Sequence, residues 1–408
     1  MPLSPIVSLV KRALLIVAVV GMVALAGCGA GLDVGTNADD SEGNGSDVDT
    51  DGELELHHID VGQADATLLV TPGGETILID TGDWRPDGQQ VIDYLDSQGI
   101  DRIDHLIATH AHADHIGGHA AVIEHVEENG EGVGAAYDSG VAHTSQTYDN
   151  YLDAIEEYDV TLFEVAEGDE LPLGEAESET ANETEGVTAT FLSPPAGDSG
   201  SDLHYNSVTL AVEFGDFSYL TTGDAEADAE ERLVDEQTDH LPSTVYQAGH
   251  HGSTTSSTPP FLDAVEPEIA VISSALESQY GHPHDEVLES FDEREIETYW
   301  TAAHGDIVMT TDGEDISVST AADAPTDPAA LLELKHEASE DVDENEDEDE
   351  DEAEETAQSS PSLASTPGVP SLLDVGLDTD LAEVGQPGGP TAGADATVGG
   401  ADTLAGYP

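Results

Sequence analysis
The sequence predicts an α/β fold in which two mixed β-sheets pack face to face with helices outside. Three observations predict it. Nine short apolar runs, many rich in β-branched residues, recur between residues 53 and 322 and read as strands. Five other stretches carry apolar residues at helical spacing. Strands predominate, and helices alternate with them irregularly.

In chain order, strands are expected at Leu54–Ile59, Ala66–Val70, Thr76–Ile79, Ile103–Ala108, Thr188–Leu192, Val208–Phe214, Ser218–Thr222, Ile269–Ser273 and Ile307–Thr310. Helices are expected at Gln89–Gln98, His119–Glu128, Asn150–Tyr158, Ala225–Asp235 and His284–Phe291. No internal repeat period is visible. The folded domain is therefore expected to span 53–322, about 270 residues, within a chain of 408.

The flanks differ in composition. Lys11 and Arg12 precede an apolar run from Ala13 to Gly27. That run is shorter than the roughly 20 residues a spanning helix needs and suits a signal segment. Leu25-Ala26-Gly27-Cys28 resembles a lipobox, which implies cleavage before Cys28 and a lipid on its sulfur. Residues 1–28 then act as export signal and membrane anchor, and the rest of the chain lies outside the cytoplasm. A conventional or uncleaved signal gives the same placement. Residues 29–52 have almost nothing to bury and read as a flexible acidic tether. Residues 323–408 read as a disordered tail, with fourteen acids between Glu337 and Glu355 and then a Ser-, Pro- and Gly-rich stretch.

Composition excludes several classes. The 89 Asp and Glu against 7 Lys and Arg leave a formal charge of −82. A basic nucleic-acid-binding module is excluded, because the cations that neutralise phosphates are missing. One cysteine excludes intrachain disulfides, a Cys-based zinc finger and an iron–sulfur cluster. Such charge repels itself in dilute buffer, but at about 1 M salt the Debye length falls to about 3 Å and most of the repulsion disappears. Acid spread through the chain, with lysine only at Lys11 and Lys335, resembles the proteins of extreme halophiles such as haloarchaea.

The chemistry concentrates in Thr109-His110-Ala111-His112-Ala113-Asp114-His115-Ile116-Gly117-Gly118, directly after an expected strand. Three imidazoles and a carboxylate on a strand-to-helix loop can converge on two adjacent cations. Imidazole with carboxylate suits zinc, manganese or iron.

The string H-x-H-x-D-H-x-G-G resembles the signature of the metallo-β-lactamase superfamily. More narrowly, the chain is similar to the extracytoplasmic hydrolase domain of ComEC-like competence proteins. His58-Ile59-Asp60-Val61-Gly62-Gln63-Ala64-Asp65-Ala66 matches that family's D-V-G-Q-G-D-A, with Ala64 in place of the usual Gly. Further matches in family order are Ile77 to Gly82, Leu220 to Asp224, Ala248 to Ser253 and Tyr280 to His284. The resemblance covers about residues 53–313 and implies a four-layer αββα sandwich.

It also implies a ligand set for two divalent metal ions, zinc first and manganese second. His110 and His112 would hold one ion, Asp114 and His115 the other, and Asp224 would bridge them. His282 would complete the second site. His204 is favoured as the remaining ligand of the first, with Asn206 or no protein ligand as alternatives. Asp80 would lie beneath the site and orient a ligating His or the nucleophile. His251 would contact a phosphoryl oxygen or protonate the leaving group, and His250 could exchange roles with it. His57, His58, His105, His119, His125, His143, His240, His284, His304 and His336 lack such support and read as packed or solvated. Tyr205, Tyr280 and Trp300 could line a pocket but read first as core aromatics.

The implied activity is phosphodiester hydrolysis by attack of a metal-bridging hydroxide. DNA is the first substrate expected, and a small phosphodiester stands close behind because residues 53–322 hold only Arg85, Arg102, Arg232 and Arg294 as cations. Lactone or ester hydrolysis, or a metal-binding surface lipoprotein without turnover, are the alternatives. One short apolar run cannot form a pore, so any DNA-uptake channel would be a separate partner.

Overall fold
The computed structural model describes residues 52–174, 186–197 and 199–339. The signal segment, the lipobox with Cys28, nearly all of the tether and the tail from residue 340 lie outside the described residues. The first half of the domain runs β1 (Leu54–His58), β2 (Thr67–Val70), β3 (Thr76–Ile79), α1 (Gln89–Gln98), β4 (Arg102–Ile107), α2 (His119–Asn129), β5 (Gly132–Asp138), α3 (Gln146–Glu157) and β6 (Leu162–Glu164). The second runs β7 (Thr188–Ser193), β8 (Thr209–Phe214), β9 (Phe217–Thr221), α4 (Ala227–Glu236), β10 (Val245–Gln247), α5 (Pro259–Val265), β11 (Ile269–Ile272), α6 (Asp285–Glu293), β12 (Glu297–Trp300), α7 (Thr301–His304), β13 (Ile307–Thr311) and β14 (Ile316–Thr320). A last helix, α8, occupies 328–339.

The described residues form an eight-stranded sheet ordered β14-β13-β1-β2-β3-β4-β5-β6 and a six-stranded sheet ordered β12-β11-β10-β9-β8-β7. Both are mixed. β3 to β6 run parallel in one, and β9 to β12 in the other. Three apolar clusters fix the layers. Leu54, Leu56, Ile77 and Ile107 of the first sheet meet Leu210, Val212, Tyr219 and Val271 of the second. Leu78 and Leu106 point the other way, onto Val91, Leu95, Val122 and Ile123 of α1 and α2. Leu220 and Ile272 pack on Leu233, Phe261, Leu288 and Phe291 of the remaining helices. Period-two alternation along each strand thus serves two cores at once. The result is the expected four-layer sandwich, an α/β fold.

The C-terminal boundary differs from the one expected. The chain continues to pack after 322, because Asp327 caps α8 with its carboxylate on the Ala330 N–H (3.0 Å) and Pro328 occupies the first helical position. Leu331 is 0% exposed in the cluster beneath α4 to α6. Lys335 and His336 both reach Asp285 at the start of α6. Removing the Leu331 side chain leaves a cavity, so Leu331→Ala lowers stability by about 2–4 kcal/mol. Denaturant unfolding of the full-length chain in multi-molar KCl checks this, and a change below about 0.5 kcal/mol would show that α8 is not part of the core.

Candidate metal centre
The parallel strands of both sheets end on the same side of the molecule, and the functional loops leave from those ends. Asp80 follows β3, the histidine string follows β4, Asp224 follows β9, His250 and His251 follow β10, and Ser273 follows β11. Open α/β sheets form ligand crevices at such carboxyl ends. Backbone contacts lock the loops together. The Thr81 N–H donates to the His115 carbonyl (2.7 Å), and the Gly82 N–H to that of Asp65 (2.8 Å). The Asp65 N–H in turn donates to the Asp114 carbonyl (3.2 Å). Gly117 is required by this crowding, since a Cβ there would strike the backbone of Asp83 and Trp84.

Asp80 lies at the bottom. It is buried and held at φ 57, a left-handed conformation unusual for a residue with a side chain. Its carboxylate accepts from the Thr109 N–H (2.9 Å), the Thr109 hydroxyl (2.7 Å) and His115 Nδ1 (2.7 Å). Burial pushes its pKa up, and those donors oppose the shift. With Nδ1 of His115 committed to Asp80, its Nε2 is left to face Asp224 Oδ1 at 3.1 Å.

Asp224 is shared by two groups of donors. His110, His112, His204 and Asp224 form one, and Asp65, His115, Asp224 and His251 the other; in each, the candidate ligand atoms lie within 4.8 Å of one another. The two Asp224 oxygens face apart. Oδ1 addresses His115, and Oδ2 lies 3.5 Å from His110 Nε2 and 3.6 Å from His250 Nε2. The Ser207 hydroxyl steadies the turn by accepting from the Asp224 N–H (3.1 Å). His204, Glu226 and His250 form a third, half-exposed group at the rim.

The donor set fits metal ions. Asp65 Oδ1, His115 Nε2, Asp224 Oδ1 and His251 Nε2 are all buried without a hydrogen-bond partner. Such orphans are costly unless something charged satisfies them. In the other group, His110 Nε2 and His112 Nδ1 face each other at 2.8 Å, which only a proton or a cation between them accommodates. Burial holds the pKa of His110 well below the usual imidazole range and lowers that of His112, so both present neutral lone pairs. At His115 and His251 burial pulls the same way. The carboxylates of Asp224 and Asp80 at His115, and of Asp65 and Asp224 at His251, outweigh it and hold both well above that range. Burial opposes ionisation of Asp224 too, but the surrounding imidazoles keep its carboxyl far below the usual range. Protons or divalent cations must balance four carboxylates here, and nitrogen with oxygen donors suits zinc, manganese or iron.

The sequence-predicted residues divide. His110, His112, His204 and Asp224 come together in one group as expected, and His115 joins Asp224 in the other. Two members of that second group differ from expectation. Asp114 and His282 stand outside it, and His251 and Asp65 stand inside. His251, expected to touch substrate, donates from Nδ1 to the Ser273 carbonyl (3.1 Å) from a left-handed backbone position. Asp114 lies over it, Oδ2 3.4 Å from His251 Nε2. The ring of His282 is 6.2 Å from that of His251, and its Nδ1 faces Gln63 Nε2 at 3.3 Å. His250 sits at the rim between Thr255 and Glu226. Asn206 is not in either group: its side chain is tied to Ser199 and to the Asp202 carbonyl.

Asp65 and Glu226 were missed as site residues. Asp65 lies in a quoted motif, but only the turn after β1 brings it under His251. Glu226 Oε1 stands 3.4 Å from His204 Nδ1 and 3.5 Å from His250 Nδ1, orienting both rings, and nothing in the sequence beyond its nearness to Asp224 marks it. Five of the ten other histidines, His57, His58, His105, His119 and His304, are buried in packing. His57 pairs with Tyr94, His58 with Thr67, and His119 with Thr81. Trp300 is core as expected, whereas Tyr280 is exposed.

The Metallo-beta-lactamase superfamily profile matches residues 59–275. ComE operon protein 3 of Bacillus subtilis (strain 168) is 29% identical over 276 residues, 64% of this chain and 33% of that protein. Competence protein ComA of Neisseria gonorrhoeae is 32% identical over 229 residues, 56% of this chain and 28% of that protein. Recombination protein 2 of Haemophilus influenzae is 30% identical over 253 residues, 61% and 28% respectively. The chain thus spans a third or less of the length of these relatives.

Two outcomes follow from the geometry. Asp80→Asn places an amide where His115 needs an acceptor, and metal affinity falls about 10–100-fold while the fold persists; competition with a chromogenic chelator reads it. Chelation lowers the melting temperature of the full-length chain, and restoring the metal to 100 times its dissociation constant returns about 2.7 kcal/mol. A melting curve indifferent to chelator would mean that the buried donors hold no ion.

Proposed function
Because the chain belongs to the metallo-beta-lactamase superfamily, we propose that it is a dinuclear metal-dependent phosphodiesterase acting outside the cytoplasm on DNA or a small phosphodiester. The observation that carries the proposal is Asp224, whose two oxygens face two separate donor groups from one buried position. His110, His112 and His204 would hold one ion, and His115, His251 and Asp65 the other, with Asp224 between them. Divalent ions so held would supply a hydroxide nucleophile at neutral pH and would neutralise charge developing on phosphoryl oxygens.

The protein's own groups do the rest. Asp80 fixes the ring of His115, and the Ser273 carbonyl fixes that of His251, so neither donor reorganises during the reaction. Asp114 covers His251 from the groove side. His250, half-exposed with Nε2 toward Asp224, is placed to pass a proton to a departing oxygen; burial lowers its pKa, which makes it a stronger acid once protonated. DNA is favoured because one relative is named for recombination and another for competence. Export rests on the Lys11 to Cys28 segment. Among the described residues no helix is long and apolar enough to cross a membrane.

The test is hydrolysis of a chromogenic phosphodiester by the full-length chain in multi-molar KCl, with zinc and manganese supplied separately. Turnover is expected with at least one metal, and Asp224→Asn lowers kcat by about 100-fold or more, in the range found when one transition-state charge contact is lost. Asp114→Ala reduces turnover with the fold retained. A folded, metal-loaded protein that cleaves carboxylic esters or lactones but no phosphodiester would overturn the proposal.

A further inference from the structure
The exposed aromatic residues are not scattered. Among the described residues the large hydrophobic side chains standing in solvent are Trp84, Phe163 and Tyr280, and two of them line one groove. Trp84 is 53% exposed and Tyr280 58%. The groove encloses about 400 Å³ and borders Asp114, at the edge of the metal centre. Arg85 lines it too, its guanidinium 5.1 Å from the Trp84 ring centroid. The other arginines of the domain are committed elsewhere: Arg102 to Asp104, Arg232 to Glu167 and Arg294 to Asp263. Arg85 is paired too, from Nη1 to both Asp83 oxygens (3.1 and 3.0 Å), but its side chain is 65% exposed.

From this placement we infer that the Trp84–Arg85–Tyr280 groove is a nucleotide subsite, which holds the base and phosphate of the unit adjoining the scissile phosphodiester. The inference rests on the proposed reaction and narrows its substrate. Flat aromatic faces accept any base by stacking, and Arg85 is the cation within the groove for a flanking phosphate. Gln279, with both donor and acceptor atoms, also lines the groove.

Charge explains why stacking must carry the affinity. With 7 Lys and Arg against a net charge of −82 the chain has few cations for a basic stripe, and in molar salt the gain from releasing counterions fades. Stacking and burial of ring faces survive those conditions. A site with two exposed rings and one arginine is therefore the form that nucleotide recognition can take on this surface. A quaternary ammonium headgroup would prefer the rings without a guanidinium already lying over one of them.

The experiment compares kcat/KM for the p-nitrophenyl ester of thymidylate with that for methyl p-nitrophenyl phosphate, using the metal-loaded full-length chain. The nucleotide ester is expected to be preferred by about tenfold or more, and Trp84→Ala with Tyr280→Ala to erase that preference, since one stacked base is worth roughly that factor. A preference that survives both substitutions, or that appears for a choline ester instead, overturns the subsite while the phosphodiesterase stands. If neither ester is cleaved, tryptophan fluorescence decides separately. Trp300 is fully buried and Trp84 exposed, so a short oligothymidylate should quench the native chain and not Trp84→Ala. That result keeps the nucleotide site although the reaction falls, and no quenching overturns the site itself.

Discussion
A single buried carboxylate ties the two ends of this site together. Asp80 closes β3, and its oxygens collect the backbone and hydroxyl of Thr109, the residue that begins the loop after β4, together with the ring of His115 at the end of that loop. A carboxylate in such a place is costly unless every lone pair finds a donor. Here the donors come from one loop, so satisfying Asp80 and shaping the histidine string are the same event. The left-handed backbone of Asp80 is tolerated because that closure over-determines it. His110 and His112 follow from the turn that Thr109 starts, and His115 Nε2 points at Asp224 because Nδ1 is taken.

Much of the fold was legible, and the failures have reasons. β3 and α1 fall where the apolar pattern put them, since one is a run of aliphatic residues and the other has turn glycines at both ends. β5, Gly132–Asp138, carries two glycines and two alanines and so lacks the usual strand signature. β10 is three residues long, and β14 is a half-exposed edge rich in serine and threonine. α8 was hidden by the acids that follow it, although Asp327-Pro328 is a helix start and Leu331 a core residue. Composition averages over a window, but capping is a property of single residues.

The site shows a similar division. Three donors within six residues, His110, His112 and His115, are visible because one loop presents them, and chain order alone suffices. The partners that arrive from other loops depend on backbone conformation that no spacing reveals. His250 and His251 both adopt left-handed angles, and this decides which ring turns inward toward Asp65 and which stays at the rim with Glu226. Placing His251 on the substrate and His282 on a metal was reasonable from order. The hydrogen bond from His251 Nδ1 to the Ser273 carbonyl fixes that ring inside the second donor group instead. The acidity enters on the same footing: it removes basic grooves as a means of recognition and leaves metal charge, aromatic faces and a few arginines.

The central claim is that Asp224 stands between two ions, and anomalous diffraction from crystals loaded with zinc or manganese tests it most directly. The account predicts two peaks roughly 3.5–4 Å apart, as in two-metal hydrolytic sites, one on each side of the Asp224 carboxylate. The first should lie beside His110, His112 and His204, and the second beside His115, His251 and Asp65. A single peak, or a pair that leaves Asp224 in contact with neither or only one ion, would contradict it.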